Sequence, residues 1–157
     1  MDFWKNRKRN FTCFFGTLVI AGSLSATAYG DGITNANLAT ADELASIEGI
    51  EQFLDQADIT TIVSGRPFST IGELNSVLSR TMTKDQLEML YQKIFIPINL
   101  NTASRENILL IPGVSRRMAH EFEEYRPYSN LEQFRREIGK YVNEQEVLRL
   151  QMYVTLD

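Results

Sequence analysis

The sequence predicts an all-α protein in which one unit of about sixty residues occurs twice, with no substantial sheet. Three observations carry this expectation. The first is self-similarity. Asn35-Ala36-Asn37-Leu38-Ala39-Thr40 answers to Asn99-Leu100-Asn101-Thr102-Ala103-Ser104, and Ile47-Glu48-Gly49-Ile50 to Ile111-Pro112-Gly113-Val114, both at an offset of 64 residues. Further on, Arg66-Pro67-Phe68-Ser69-Thr70-Ile71 answers to Arg126-Pro127-Tyr128-Ser129-Asn130-Leu131 at an offset of 60, so the second copy has lost four residues between these blocks. The second observation is a set of helix-capping pairs at matched places. The third is apolar residues at helical spacing between them. A period of this length marks a repeat architecture.

The capping pairs place the helices. Thr40 with Glu43, Thr70 with Glu73 and Thr83 with Gln86 fit the capping box, in which a hydroxyl accepts from the third amide and the side chain at that position reaches back. Asn130 with Gln133 and Asn143 with Glu146 stand at equivalent places in the second copy, and Ser104 caps a helix with Asn107 as a weaker partner. Leu44 and Ile47, then Leu74, Val77 and Leu78, then Leu87, Leu90, Tyr91 and Ile94 recur as one helical face requires. Each copy reads as helix, tight turn, helix, loop through Arg-Pro, helix, turn, helix. Proline disfavours helix at the preceding residue, so Arg66 and Arg126 are expected to end their helices. The aromatic after each proline is expected to fold back on the core. No stretch alternates as a strand does. Ile94 to Ile98, with Pro97, is read as an extended linker, giving a first repeat over 29–96 and a second over 97–157.

The amino terminus is a separate object. Lys5, Arg7, Lys8 and Arg9 precede an uncharged apolar run from Phe11 to Ala21, and Ala26-Thr27-Ala28 supplies the small-x-small pattern of signal-peptide cleavage. The run is short for a hydrocarbon core of about 30 Å. A signal peptide over 1–28 is expected, cut after Ala28 or Gly30, with export to the periplasm; the alternative is an uncleaved anchor. Cleavage removes the one Cys (Cys13) and the one Trp (Trp4), leaving no disulfide or thiolate metal site. Lys+Arg falls from 16 to 12 and Asp+Glu from 20 to 19, so net charge moves from −4 to −7. No membrane contact is expected after cleavage. Such acidity is not the usual footprint of a nucleic-acid binder.

Asn101, Ala103 and Ser104, then Pro112-Gly113-Val114, then Ala119 resemble the ComEA-type helix-hairpin-helix family. Its pattern is an N-x-A-[ST] opening, a short helix, a P-G-[IV]-G hairpin and a second helix carrying a small residue. The resemblance covers roughly 35–157. It implies a tandem helix-hairpin-helix (SAM-like) bundle and a short list of roles. Members include exported competence proteins that bind duplex DNA during uptake. The same fold also serves protein assembly in a small lumenal subunit of photosystem II.

A hairpin of this kind holds phosphate by simple physics. Outward amides at a glycine turn, at the start of a helix, present unsatisfied N–H groups and the positive end of the dipole. In the second copy Gly113 and Val114 form the turn, Ser115 stands where the family has a second glycine, and Arg116 and Arg117 follow; Arg105 and Lys140 are further candidates for phosphate contact. Arg135 and Arg136 are possible backbone contacts. In the first copy Glu48 and Glu51 flank Gly49. A carboxylate about 5 Å from a phosphate costs about 3 kcal/mol at an effective dielectric of about 20. Residues 29–96 carry four basic and ten acidic residues, residues 97–157 eight and nine, so positive charge concentrates in the second copy. Ser79-Arg80-Thr81-Met82 and Gly139-Lys140-Tyr141-Val142 lack the full second glycine hairpin of the family.

Nothing else points to chemistry. His120 is the one histidine and is read as a surface residue, so no metal set is expected. Glu121, Glu123 and Glu124 are read as a solvated helix face, and Phe122, Tyr125, Tyr128, Phe134 and Tyr141 as core. No phosphate loop, nucleophile triad or dinucleotide fingerprint is present, so no enzyme, cofactor or small-molecule substrate is expected. Two partners remain open: duplex DNA bound weakly and without sequence preference, or another exported protein.

Overall fold

The computed structural model describes residues 28–29 and 32–156 of the chain. The signal-peptide reading falls almost wholly on residues outside that set. Among the described residues the first copy runs β2 (Ile33–Asn35), α1 (Ala41–Ala45), a 3-10 turn (Ile50–Gln52), α2 (Gln56–Ser64), α3 (Ile71–Leu78), α4 (Lys84–Leu90) and β3 (Ile94–Phe95). The second runs β4 (Ile98–Asn99), α5 (Arg105–Ile108), α6 (Arg116–Glu124), α7 (Leu131–Ile138), α8 (Glu144–Gln151) and β5 (Val154–Thr155). A short β1 (Ala28–Tyr29) lies antiparallel to β2. The order of four helices per copy is the one expected, and the protein is mostly helical.

The strands correct one expectation. Residues 94–98 are extended but are not a free linker. β3 pairs in parallel with β2, Thr34 opposite Ile94 and Asn35 opposite Phe95. β4 pairs in parallel with β5, Ile98 opposite Val154 and Asn99 opposite Thr155. Each copy is thus closed by its own first and last strands. Segments of two or three residues are too short to show an alternating pattern. Their backbone runs through the core, where peptide groups must find partners. Pro97 falls between β3 and β4, where no ladder bond is needed.

Among the described residues every α-helix begins at a side-chain cap. Thr40 and Thr83 form complete capping boxes with Glu43 and Gln86. At α3 and α7 the box is shifted by one residue. Thr70 and Asn130 accept from Glu73 and Gln133, whose side chains reach back to the amides of Ser69 and Ser129 at 2.6 and 2.9 Å. Asp55 with Asp58 is a complete box that the pattern search missed.

The repeated Asn and Arg-Pro motifs turn out to be two halves of one clasp. The Asn37 side chain donates to Phe68 O at 2.8 Å and accepts from Phe68 N at 3.0 Å. Asn101 does the same for Tyr128, at 3.0 and 2.7 Å. Arg126 donates to Leu100 O at 2.6 Å and Ala103 O at 2.8 Å, and Arg66 donates to Ala39 O. The clasp joins the opening segment of each copy to the loop between its second and third helices, across about thirty residues. Phe68 and Tyr128 are buried beneath it. Both X-Pro bonds in these loops are cis.

The copies share one core. Phe95 of the first stands edge-on to Tyr153 of the second, with ring centroids 4.8 Å apart, and Tyr91 packs edge-on to Phe95 at 5.8 Å. Edge-to-face pairs of this kind add to the area they bury. Within the second copy Phe122, Tyr128 and Phe134 meet as expected. Tyr125 packs against this core from its edge, whereas Tyr141 does not join it. Tyr125 is half-buried, Tyr141 is exposed, and their hydroxyls lie 2.8 Å apart at the surface.

Candidate functional site

Each copy reverses direction over one turn. Val114 N donates to Ile111 O at 3.1 Å, and Ile50 N to Ile47 O at 3.0 Å. Gly113 and Gly49 sit at φ 76° and 73°, a conformation that a Cβ strains. A cation ties each turn by the carbonyl before its glycine. Arg149 donates to Pro112 O at 2.8 Å, and Lys93 to Glu48 O at 2.6 Å. The two cations come from different positions of the repeat, since Met89 matches Arg149 and Tyr153 matches Lys93. Arg149 is itself held by Glu146 through two bonds of 2.7 Å, which keep the Glu146 carboxyl below its ordinary range.

Beyond the turn the copies part. In the second, Ser115 follows Val114 at once and caps α6, its hydroxyl accepting from Met118 N at 3.2 Å. The amides of Gly113, Ser115, Arg116 and Arg117 have no protein acceptor among the described residues. Arg116 and Arg117 are exposed and enter no ion pair among the described residues. No acidic residue stands in the first turn of α6. Amides at such a helix start suit an anion.

In the first copy the four extra residues fall at this point. Residues 51–54 continue and leave the 3-10 turn (Ile50–Gln52) and bury Leu54, and α2 begins only after Asp55. Asp55 and Asp58 exchange bonds of 2.8 and 3.4 Å across its first amides. These aspartates occupy the positions of Ser115 and Met118. The amides of Gln56 and Ala57 likewise have no protein acceptor among the described residues, so the copies differ in the carboxylates that stand at the helix start and not in the openness of these N–H groups.

Arg105 and Lys140 do not stand free beside this seat. The Arg105 Nε and Nη2 both donate to Glu123, the former at 2.8 Å, and this carboxylate raises the guanidinium pKa. The reason is geometric: α5 has four residues and sets Arg105 against the far end of α6. Lys140 is bonded to Glu137 and lies 4.8 Å over the Tyr125 ring. Lys140 first, then Arg136, hold the Glu137 carboxyl below its usual range. Lys140 nevertheless lines, with Ser115 and Arg117, a depression of about 360 Å³ beside the hairpin. Arg135 donates to Gln151 and Arg136 to Glu137.

The acidic helix face is also corrected. Glu121 is buried and meets the Tyr141 hydroxyl; Tyr125 first, then Glu121, hold that phenol above its usual range. Glu123 is taken by Arg105. Glu124 alone fits the solvated reading, exposed beside His120 at 2.9 Å. Among the described residues no His, Cys, Asp and Glu side chains converge as a metal set.

Residues 113–117 thus come together as one open, basic bend, flanked by Lys140 at some distance and without Arg105. No family model, curated protein or solved structure matches this chain. Sequence reasoning missed Arg149, whose place behind the turn depends on α8 folding back. It also missed the structural use of Asn101 and Arg126, although their repetition at Asn37 and Arg66 was a visible signal.

Proposed function

We propose that this chain is an exported, non-catalytic helix-hairpin-helix protein that binds duplex DNA without sequence preference through its second hairpin. One observation carries the reading: among the described residues the amides of Gly113, Ser115, Arg116 and Arg117 have no protein acceptor, and the neighbouring Arg116 and Arg117 side chains enter no ion pair. Phosphate oxygens satisfy such amides and pair with such arginines. Contacts of this kind position a protein on DNA and read no bases. The acidic remainder of the molecule offers no long-range attraction, so binding is weak and local. Export rests on the sequence of residues 1–28, and the family on the residues quoted for it.

Titration of a fluorescent duplex tests this. Two or three phosphate contacts give a log–log salt slope of about −2 to −3. Saturable binding at 50 mM salt, lost in Arg116→Ala with Arg117→Ala, is the expected result. Absence of binding at that salt, or binding untouched by the double substitution, overturns it.

The acidic first hairpin, with Glu48 and Glu51 exposed, favours a second reading as a protein adaptor. A stoichiometric partner retained after nuclease treatment, and lost on Glu48→Gln with Glu51→Gln, would establish it.

A further inference from the structure

We infer that the cleft between the two copies is a binding site for the free carboxyl terminus of a partner polypeptide ending in an apolar residue. The cleft holds about 650 Å³, a volume ordinary for a ligand site. One wall belongs to α3 and α4 of the first copy, the other to the hairpin of the second. Leu109 and Leu110, half-buried, line it with Met82 and Leu87 and supply apolar surface, the floor on which a side group can rest.

Several polar groups around this floor are unused donors. Lys84 is exposed and in no ion pair among the described residues. Asn75 accepts from the Tyr91 hydroxyl at 3.0 Å, while its amide NH2 donates to no protein atom among the described residues. Gly113 and Ser115, whose N–H groups are open, lie on the facing wall. Among the described residues Glu88 is the one carboxylate lining the cleft. Open donors on both walls, with an ammonium on one of them and apolar surface between, suit an acceptor-rich anion with an apolar side group.

The spread of the donors decides between sources of that chemistry. They stand on α3, on α4 and on the opposite hairpin, so the ligand offers several acceptors in series. A chain terminus does this with its carboxylate and its last peptide carbonyls, whereas an alkyl carboxylate has acceptors at one end only. Backbone N–H groups with a neighbouring ammonium are a recurrent means of capturing a chain terminus. The site draws on Lys84 and Asn75 of the first copy and does not need Arg116 or Arg117. Because Gly113 and Ser115 serve both sites, peptide and DNA compete.

The test is fluorescence polarisation on the full chain with a labelled hexapeptide ending in Leu-Leu, as free acid and as carboxyl amide, with decanoate as a third probe. The free acid is expected to bind saturably, the amide at least tenfold more weakly, and decanoate without saturation. Lys84→Ala, a surface change, is expected to weaken the free acid about tenfold. Arg116→Ala with Arg117→Ala is expected to leave peptide binding in place, so the DNA reading and this one fail separately. Equal binding of acid and amide, no binding at millimolar peptide, saturation by decanoate instead, or an unaffected Lys84→Ala variant would overturn the assignment.

Discussion

The two hairpins share a turn and differ in where the next helix starts. Gly49 and Gly113 have nearly the same left-handed φ, and each turn is tied by a cation to the carbonyl before its glycine. In the second copy the turn runs straight into α6, whose first amides stay open. In the first, residues 51–54 intervene and the carboxylates of Asp55 and Asp58 stand at the start of α2. The glycine alone therefore does not make an anion seat. The phase between turn and helix, and the charge of the cap, decide it.

The comparison can be broken most sharply at the arginines. Arg116→Ala with Arg117→Ala should weaken duplex binding about 100-fold at 50 mM salt and reduce the salt slope by about 2, as loss of two phosphate contacts requires. The corresponding residues of the first copy, Gln56 and Ala57, should be replaceable without effect on binding. The shared scaffold gives the next effect. Asn101→Ala and Asn37→Ala each remove two bonds to buried backbone and should each cost about 2–3 kcal/mol in urea unfolding, equally in the two copies. A large inequality would show that the clasp is not one device used twice.

Ser115→Asp copies the first hairpin's cap into the second. Asp caps a helix as well as Ser does, so stability should hold while duplex affinity falls about tenfold. Unchanged affinity would mean that phosphate does not approach the cap. Gly113→Ala and Gly49→Ala should each cost about 1–2 kcal/mol for forcing a side chain into left-handed backbone, but only the first should also weaken DNA binding. The smallest effect is a pH dependence. Arg149 lowers the folded pKa of Glu146, so this pair stabilises the protein above the unfolded carboxylate pKa of about 4.3, and the contribution is lost as pH falls through the folded value. The first copy has Gln86 at this place. Denaturation of wild type and Glu146→Gln should therefore converge toward acid, while Gln86→Ala should show no such convergence.

The helices were legible because their signals are local. Caps such as Thr40, Thr83 and Asn143 act on amides three residues away, and the apolar spacing between them follows one helix face. The strands were not legible. Thr34 and Ile94 are sixty residues apart, and a two-residue pairing leaves no periodic trace. The site was legible in its covalently local part, from Gly113 to Arg117. Glu137 stands three residues before Lys140 and was a local signal passed over, whereas the pairing of Arg105 with Glu123 was not legible because it depends on how α5 lies against α6. Glu121 was misjudged for the same reason, since its burial comes from the Tyr125 and Tyr141 side of the fold. Charge counts along a sequence give the supply of cations but not which of them packing leaves unpaired.

The most direct measurement is a duplex titration followed by backbone amide NMR of the full described fold. The account predicts that the amides of Gly113, Ser115, Arg116 and Arg117 shift with a common dissociation constant, while those of Gly49, Glu51 and Gln56 stay in place. Shifts centred on the first hairpin, or none at 113–117 at 50 mM salt, would contradict it.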